Sequence, residues 1–167
     1  MAILVTGAGG FIGFHVVRHY LNQEEEVIGL DNMNSYYDKT LKYDRIKELD
    51  KIQRGSFVFH EIDLNDFDSL NHLFREREIS LVVNLAAQAG VRYSIDHPEE
   101  YIQSNVNGFM NVLTCCKMHH VGHLVYASSS SVYGNSEKSI LSVKDVVDSP
   151  ISIYAATKKS NELMAHV

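Results

Sequence analysis

Five short apolar runs, each followed by residues at helical spacing, constrain this chain more than any other feature. They fall at residues 2–6, 26–30, 56–62, 81–85 and 123–127, and the helical patterns at 11–22, 40–53, 66–77, 98–119 and 152–167. Apolar runs of this length that alternate with helices predict a parallel sheet buried on both faces. Right-handed crossovers then give an α/β fold, a doubly wound sheet in three α/β/α layers. The expected helix stripes are Phe11, Ile12, His15, Val16 and His19 on the first helix, Leu41, Ile46 and Leu49 on the second, and Phe67, Leu70, Leu73 and Phe74 on the third. At 167 residues the chain suffices for one domain, residues 1–167.

Composition excludes several classes. A net charge of −6 argues against a nucleic-acid partner, which rewards clustered Lys and Arg. No apolar stretch approaches the ~20 residues that cross a bilayer, so no membrane partner is expected. The first residues enter a strand pattern with no basic n-region, and a cytoplasmic location is expected. Cys115 and Cys116 are adjacent within a helical pattern and make neither a disulfide framework nor a zinc site. The 9 histidines show no ligand spacing, and no metal is expected.

Thr6-Gly-Ala-Gly-Gly-Phe-Ile-Gly13 joins the first strand to the first helix. Glycines at 7, 10 and 13, with an extra one at 9, suit a tight turn at Gly7, close backbone approach to a pyrophosphate near Gly10 and tight helix–strand packing at Gly13. The helix N-terminus, at Phe11 and Ile12, then offers free N–H groups and a partial positive charge to phosphates. Asp31 ends the second strand, where a carboxylate can accept both ribose hydroxyls of an adenosine. It would repel a 2′-phosphate, and no Lys or Arg follows until Lys39. At ~5 Å and an effective dielectric of ~20 each unit charge pair is worth ~3 kcal/mol, which favours NAD over NADP. Asp63 and Leu64 end the third strand. Asp63 can accept the adenine amino group with Leu64 packed on the ring, or it can be a helix N-cap.

Tyr154 and Lys158 are four apart on the last helical stretch and so share a face. Free tyrosine, with a pKa of ~10, is a poor base at neutrality, and correcting that needs ~4 kcal/mol. An ammonium at ~4 Å in a medium of dielectric ~20 supplies about that much. The pair follows a fifth strand that runs into Ser128-Ser-Ser-Ser-Val-Tyr-Gly134, where a serine hydroxyl can bond the reacting oxygen. Gln88 and Arg92 follow the fourth strand on its ligand side. Arg92 can form a two-pronged pair with a ligand carboxylate, or it can bridge to Asp96 or Glu99.

These motifs, with Leu-Asp-Asn at 30–32, Asn-Leu-Ala-Ala-Gln-Ala-Gly-Val-Arg at 84–92 and Tyr-Ala-Ala-Thr-Lys at 154–158, resemble the extended short-chain dehydrogenase/reductases with their Rossmann fold. Among those the chain most resembles the UDP-glucuronate 4-epimerases and related capsular-polysaccharide epimerases, along its whole length. The resemblance implies NAD as cofactor, a nucleotide-sugar substrate, polysaccharide biosynthesis, and a homodimer formed through the 98–119 and terminal helices. It implies Ser129, Tyr154 and Lys158 as catalytic residues. Asn32, Leu85, Ala86, Ala87, Tyr154 and Lys158 would join the cofactor set, with Lys158 also bonding the nicotinamide ribose, and Gln88, Arg92, Ser129, Ser130 and Tyr154 the substrate set. Asn105 would lie near the cofactor; a helix-surface Asn is the competing reading. The implied reaction inverts C4 of the sugar through a 4-keto intermediate. The related 4,6-dehydratases carry an Asp-Glu pair where this chain has Ser130 and Ser131, which disfavours elimination. The alternatives are such a dehydratase, a reductase or decarboxylase of the same superfamily, or a catalytically silent NAD-binding module. Relatives continue into a smaller C-terminal substrate domain that is absent from these 167 residues, so the chain reads as truncated and, alone, inactive.

Overall fold

A computed structural model describes residues 1–167. The chain forms two compact units, one of Met1–Ala86 with Asn111–Tyr126 and one of Ala87–Met110 with Ala127–Val167.

The first unit holds a five-stranded parallel sheet in the order β3-β2-β1-β4-β5. Its strands are β1 (Ala2–Thr6), β2 (Glu26–Asp31), β3 (Ser56–Glu61), β4 (Ile79–Asn84) and β5 (His123–Tyr126). Successive strand residues face opposite sides, and both sides are apolar. Ala2, Leu4, Ile28, Leu30 and Val82 pack on one face with Leu70, Leu73 and Phe74 of α3 (Phe67–Glu76) and with Val112 and Cys115 of α6 (Gly108–Met118). Ile3, Val5, Val27 and Val83 pack on the other with Val17 and Leu21 of α1 (Phe11–Asn22) and Ile46 and Leu49 of α2 (Lys39–Asp50). These are the expected three layers. The strand order reverses at β1, between β2 and β4, so the carboxyl ends of β1 and β4 frame the switch point at which such sheets bind ligands.

The second unit contains α4 (Tyr93–Asp96), α5 (Pro98–Tyr101), a π-helical segment (Ile102–Asn107), a 3-10 turn (Ser130–Tyr133) and α7 (Ile153–His166). Ser152 caps α7 by accepting from the Ala155 N–H at 3.0 Å. No helix is long and apolar enough to cross a membrane.

Three expectations need correction. On α1 the buried positions are Gly13, Val17 and Leu21, while Phe11 and Ile12 are 67% and 60% exposed. Tight packing of Gly13 on the preceding turn fixes the rotation of the helix, and the stripe follows at i+4 and i+8. On α2, Leu41 is exposed and Lys42 is buried in its place, for the electrostatic reason given below. The helix expected at 98–119 runs without a gap from Pro98 to Met118, but a π segment widens it, and that wide turn carries a buried Asn105. The helix-surface reading of Asn105 is therefore wrong. Remaining differences in element ends are one to three residues, the ordinary fraying of boundaries.

Candidate functional site

In the first unit, the turn after β1 is a cradle made of backbone. Gly7 sits at φ +71, and a Cβ there would stand 2.9 Å from the Ala86 nitrogen. A Cβ on Gly13 would stand 2.0 Å from the Gly7 carbonyl oxygen. No side chain caps α1 and no acid lies in its first turn. Its leading N–H groups, at Phe11 and Ile12 after Gly10, therefore keep their capacity for an anion. Thr6 ties β1 to β4: its hydroxyl donates to Asn84 Oδ1 at 2.7 Å and accepts from the Leu85 and Ala86 N–H groups, both at 3.1 Å. The glycines let the turn pack against its own backbone, and the uncapped N–H groups at the start of α1 fit a dinucleotide pyrophosphate.

Asp31 is buried at the end of β2 and already well supplied with donors. Its Oδ2 accepts from the Gly9 N–H at 3.1 Å. Its Oδ1 accepts from the Met33 N–H at 2.9 Å and from Lys42 Nζ at 3.2 Å. Met33 takes the uncommon φ of +49 to complete this turn. This corrects two expectations. A cation does stand beside Asp31, brought from α2, so net repulsion of a 2′-phosphate is weaker than the local sequence implied. The carboxylate also keeps about one acceptor position, short of the two that a pair of hydroxyls needs.

Asp63 is not a helix N-cap; Asp66 caps α3 by accepting from the Ser69 N–H at 3.1 Å. Asp63 Oδ2 accepts from Asn32 Nδ2 at 2.8 Å, and Oδ1 accepts from the Asn65 N–H and Nδ2. Burial alone would raise its pKa, but these hydrogen bonds from Asn32 and Asn65 hold it below the usual carboxylate value. Leu64 beside it is buried, and its carbonyl accepts from Asn111 Nδ2 at 2.8 Å.

In the second unit, Tyr154 and Lys158 lie one turn apart on α7, which packs against the 3-10 turn and α5. Lys158 is 4% exposed, and its ammonium donates to the Ala127 carbonyl at 3.0 Å. Burial pulls its pKa down to about 8. The Tyr154 ring packs edge-on to Tyr101, with centroids 6.0 Å apart. The Tyr101 hydroxyl lies 2.7 and 2.6 Å from the carbonyl oxygens of Ala89 and Gly90 and anchors that loop. Ser129 opens the 3-10 turn: its Oγ accepts from the Ser131 N–H at 3.2 Å and donates to Ser131 Oγ at 3.1 Å. Ser130 is exposed, and Ser128 donates to Glu162 at 2.6 Å.

Gln88 and Asn105 form a buried polar knot. Asn105 Oδ1 accepts from the Gln88 N–H at 2.8 Å, and its Nδ2 donates to the Gln88 carbonyl at 3.0 Å and to Thr157 Oγ1 at 3.1 Å. Asn161 of α7 donates to the Asn105 carbonyl at 2.6 Å. The Gln88 Nε2 is buried without a protein partner, the pattern of a donor that serves a ligand or water. Arg92 is exposed and forms no ion pair, so the expected bridge to Asp96 or Glu99 is absent. Sequence reasoning missed Lys42, Arg45, Tyr101, Thr157 and Asn161. A Lys at a helical stripe position on α2 was the one legible signal among them.

Comparison with known proteins shows the family and the fold. A family profile described as GDP-mannose 4,6 dehydratase matches residues 4–167. Protein CapI of Staphylococcus aureus is 50% identical over 99% of this chain and 49% of its own length. UDP-glucuronate 4-epimerase 4 of Arabidopsis thaliana is 47% identical over 99% of this chain and 38% of its own. Among solved structures, a Tyr-to-Phe mutant of the UDP-glucuronic acid 4-epimerase from Bacillus cereus, in complex with UDP-4-deoxy-4-fluoro-glucuronic acid and NAD, superposes with a TM-score of 0.86 at 35% identity, covering 99% of this chain and 51% of that one. The UDP-Glc/GlcNAc 4-epimerase of Campylobacter jejuni gives a TM-score of 0.88 at 27% identity, covering 99% and 48%. The chain thus spans about half, or less, of the length of the curated relatives it matches.

Proposed function

The chain belongs to the GDP-mannose 4,6 dehydratase family of short-chain dehydrogenase/reductase domains, and from that membership we propose that it is the NAD-binding portion of a nucleotide-sugar 4-epimerase acting on UDP-glucuronate. Lys158 carries the reading: a buried ammonium with no carboxylate beside it, one helical turn from a tyrosine. Such a group is costly to keep, and its field is useful only to an anion that forms nearby.

In this reading Gly7, Gly10, Phe11, Ile12 and Gly13 hold the pyrophosphate of NAD. Asp31, Asn32, Asp63 and Leu64 hold the adenosine, and Leu85, Ala86 and Ala87 border the cofactor. When bound, NAD takes up a hydride and gives it back. Tyr154 removes the proton from the sugar 4-hydroxyl and returns it after the 4-keto sugar has presented its other face. Lys158 stabilises the phenolate through its positive charge. Ser129 donates to the C4 oxygen and, with Ser130 and the orphaned amide of Gln88, positions the sugar. Arg92, free of any protein carboxylate, offers a two-pronged partner to the uronate.

The family's name suggests elimination as a second reaction. Loss of water across C5 and C6 needs an acid and a base, and Ser130 and Ser131 supply neither. In this reading residues 1–167, both compact units included, serve as the NAD-binding portion of a longer enzyme that also holds a substrate domain. The full enzyme is proposed as a cytoplasmic homodimer serving polysaccharide synthesis. The test is product analysis of the complete reading frame with NAD and UDP-glucuronate, against UDP-glucose and GDP-mannose. UDP-galacturonate as product is expected. A 4-keto-6-deoxy sugar from any of them would replace this reading with a dehydratase.

A further inference from the structure

We propose that Lys42 is a cofactor-specificity residue that works with Asp31 as a donor–acceptor pair for the adenosine ribose. This rests on the reading of the first unit as a NAD site.

The argument is one of hydrogen-bond accounting. A carboxylate offers about four acceptor positions, and three on Asp31 are occupied by the N–H groups of Gly9 and Met33 and by Lys42. One position, on Oδ2, remains. A ribose presents two hydroxyls, so the second needs another partner. Lys42 carries three protons. One goes to Asp31 and one to Asn34 Oδ1 at 3.1 Å, which leaves the third for a ribose oxygen.

The surroundings fix this pair in place. A Cβ on Gly9 would come within 3.2 Å of Asp31 Oδ2, 3.2 Å of Met33 Sδ and 3.3 Å of Lys42 Cβ. A side chain there would press on all three, so the extra glycine of the turn leaves the carboxylate and the lysine undisturbed. Arg45 of α2 donates to the Gly9 carbonyl at 3.0 Å, while the Gly9 N–H donates to Asp31, so Gly9 is held on both sides.

The pairing changes how the site chooses its cofactor. With Lys42 present, the charge of Asp31 is countered at 3.2 Å, and a 2′-phosphate meets a nearly neutral pair rather than a bare anion. Rejection of NADP then rests mainly on the filled carboxylate and the missing hydroxyl proton.

The experiment is calorimetric titration of the complete protein, stripped of cofactor, with NAD, NADP, 2′-deoxy-NAD and 3′-deoxy-NAD, for wild type and Lys42→Met. Lys42→Gln, which keeps an amide donor, replaces Lys42→Met if the latter melts too low to titrate. The expected result is that Lys42→Met weakens NAD roughly tenfold and NADP further. One of the two deoxy cofactors should lose clearly less than NAD, the sign of a coupled contact. Equal weakening of all four ligands would make Lys42 a scaffold residue and overturn the proposal. A wild-type protein that binds none of the four would overturn the NAD reading and this proposal together.

Discussion

Two lysines are withdrawn from solvent in this chain, and they are kept there in opposite ways. Lys42 in the first unit is 7% exposed and faces the Asp31 carboxylate at 3.2 Å. Lys158 in the second unit is 4% exposed and has only a carbonyl, that of Ala127 at 3.0 Å. The first charge is compensated on folding and so belongs to a built, static site. The second is left uncompensated, and burial pulls its pKa down to about 8. A charge held without its counterion is poised for one that appears during a reaction. One unit holds a finished ion pair; the other holds an ammonium without a counterion, which the proposed reaction would supply.

The largest effect that would break this contrast concerns the phenol proposed to become the counterion of Lys158. Tyr154→Phe in the complete protein should lower turnover by about 10³-fold while leaving the dissociation constant for NAD within about twofold. Single-turnover kinetics and calorimetry read the two separately. Unchanged turnover would remove the chemistry assigned to the second unit.

Next in size is removal of the finished counterion. Asp31→Ala strands the Lys42 ammonium in the interior and should cost about 3 kcal/mol of stability, measured by denaturant titration. A neutral outcome would mean that Lys42 reaches water and that the two lysines differ less than the geometry implies.

Lys158→Met should do the reverse and stabilise the fold. A fall from the ordinary 10.5 to about 8 corresponds to about 3 kcal/mol spent on the buried charge. Because the folded pKa lies below the unfolded one, the unfolded chain binds more protons between these values. The penalty is thus complete below pH 8, and it fades as pH climbs toward 10.5. Part of the gain is lost with the bond to Ala127, leaving on the order of 2 kcal/mol at pH 7. Melting curves of wild type and variant should therefore converge above pH 10. A variant less stable at pH 7 would show that Lys158 is an ordinary structural residue.

The smallest effect is at Arg92. It is exposed and unpaired, so Arg92→Ala should leave stability within about 0.5 kcal/mol. If it binds the uronate, KM for UDP-glucuronate should rise about tenfold while UDP-glucose is unaffected. Equal KM changes for both sugars would remove it from the specificity set.

Much of this was legible along the chain. Five apolar runs separated by helical spacing point to a doubly wound parallel sheet with right-handed crossovers, while the order β3-β2-β1-β4-β5 is one of several such orders and came from the tertiary structure. The glycines of the first turn were legible because their chemistry is local: backbone geometry and the space of a missing Cβ are properties of a few consecutive residues. The α1 stripe was misread for a related reason. Phe11 and Ile12 look like core by hydropathy, but Gly13 sets the helix rotation, and periodicity alone does not weigh a glycine as an anchor.

What the sequence determined by itself is the layering of the sheet, the phosphate turn after β1, and the Tyr154–Lys158 spacing, all of which depend on periodicity within one element or on adjacent elements. What only the tertiary structure decided is who stands beside whom across elements. Lys42 reaches Asp31 from the next helix, the π segment turns Asn105 onto Gln88 and Thr157, and Ala127 receives Lys158. Burial changes the strength of charges and hydrogen bonds by several-fold, and burial is a property of the packed chain that no local run of residues contains.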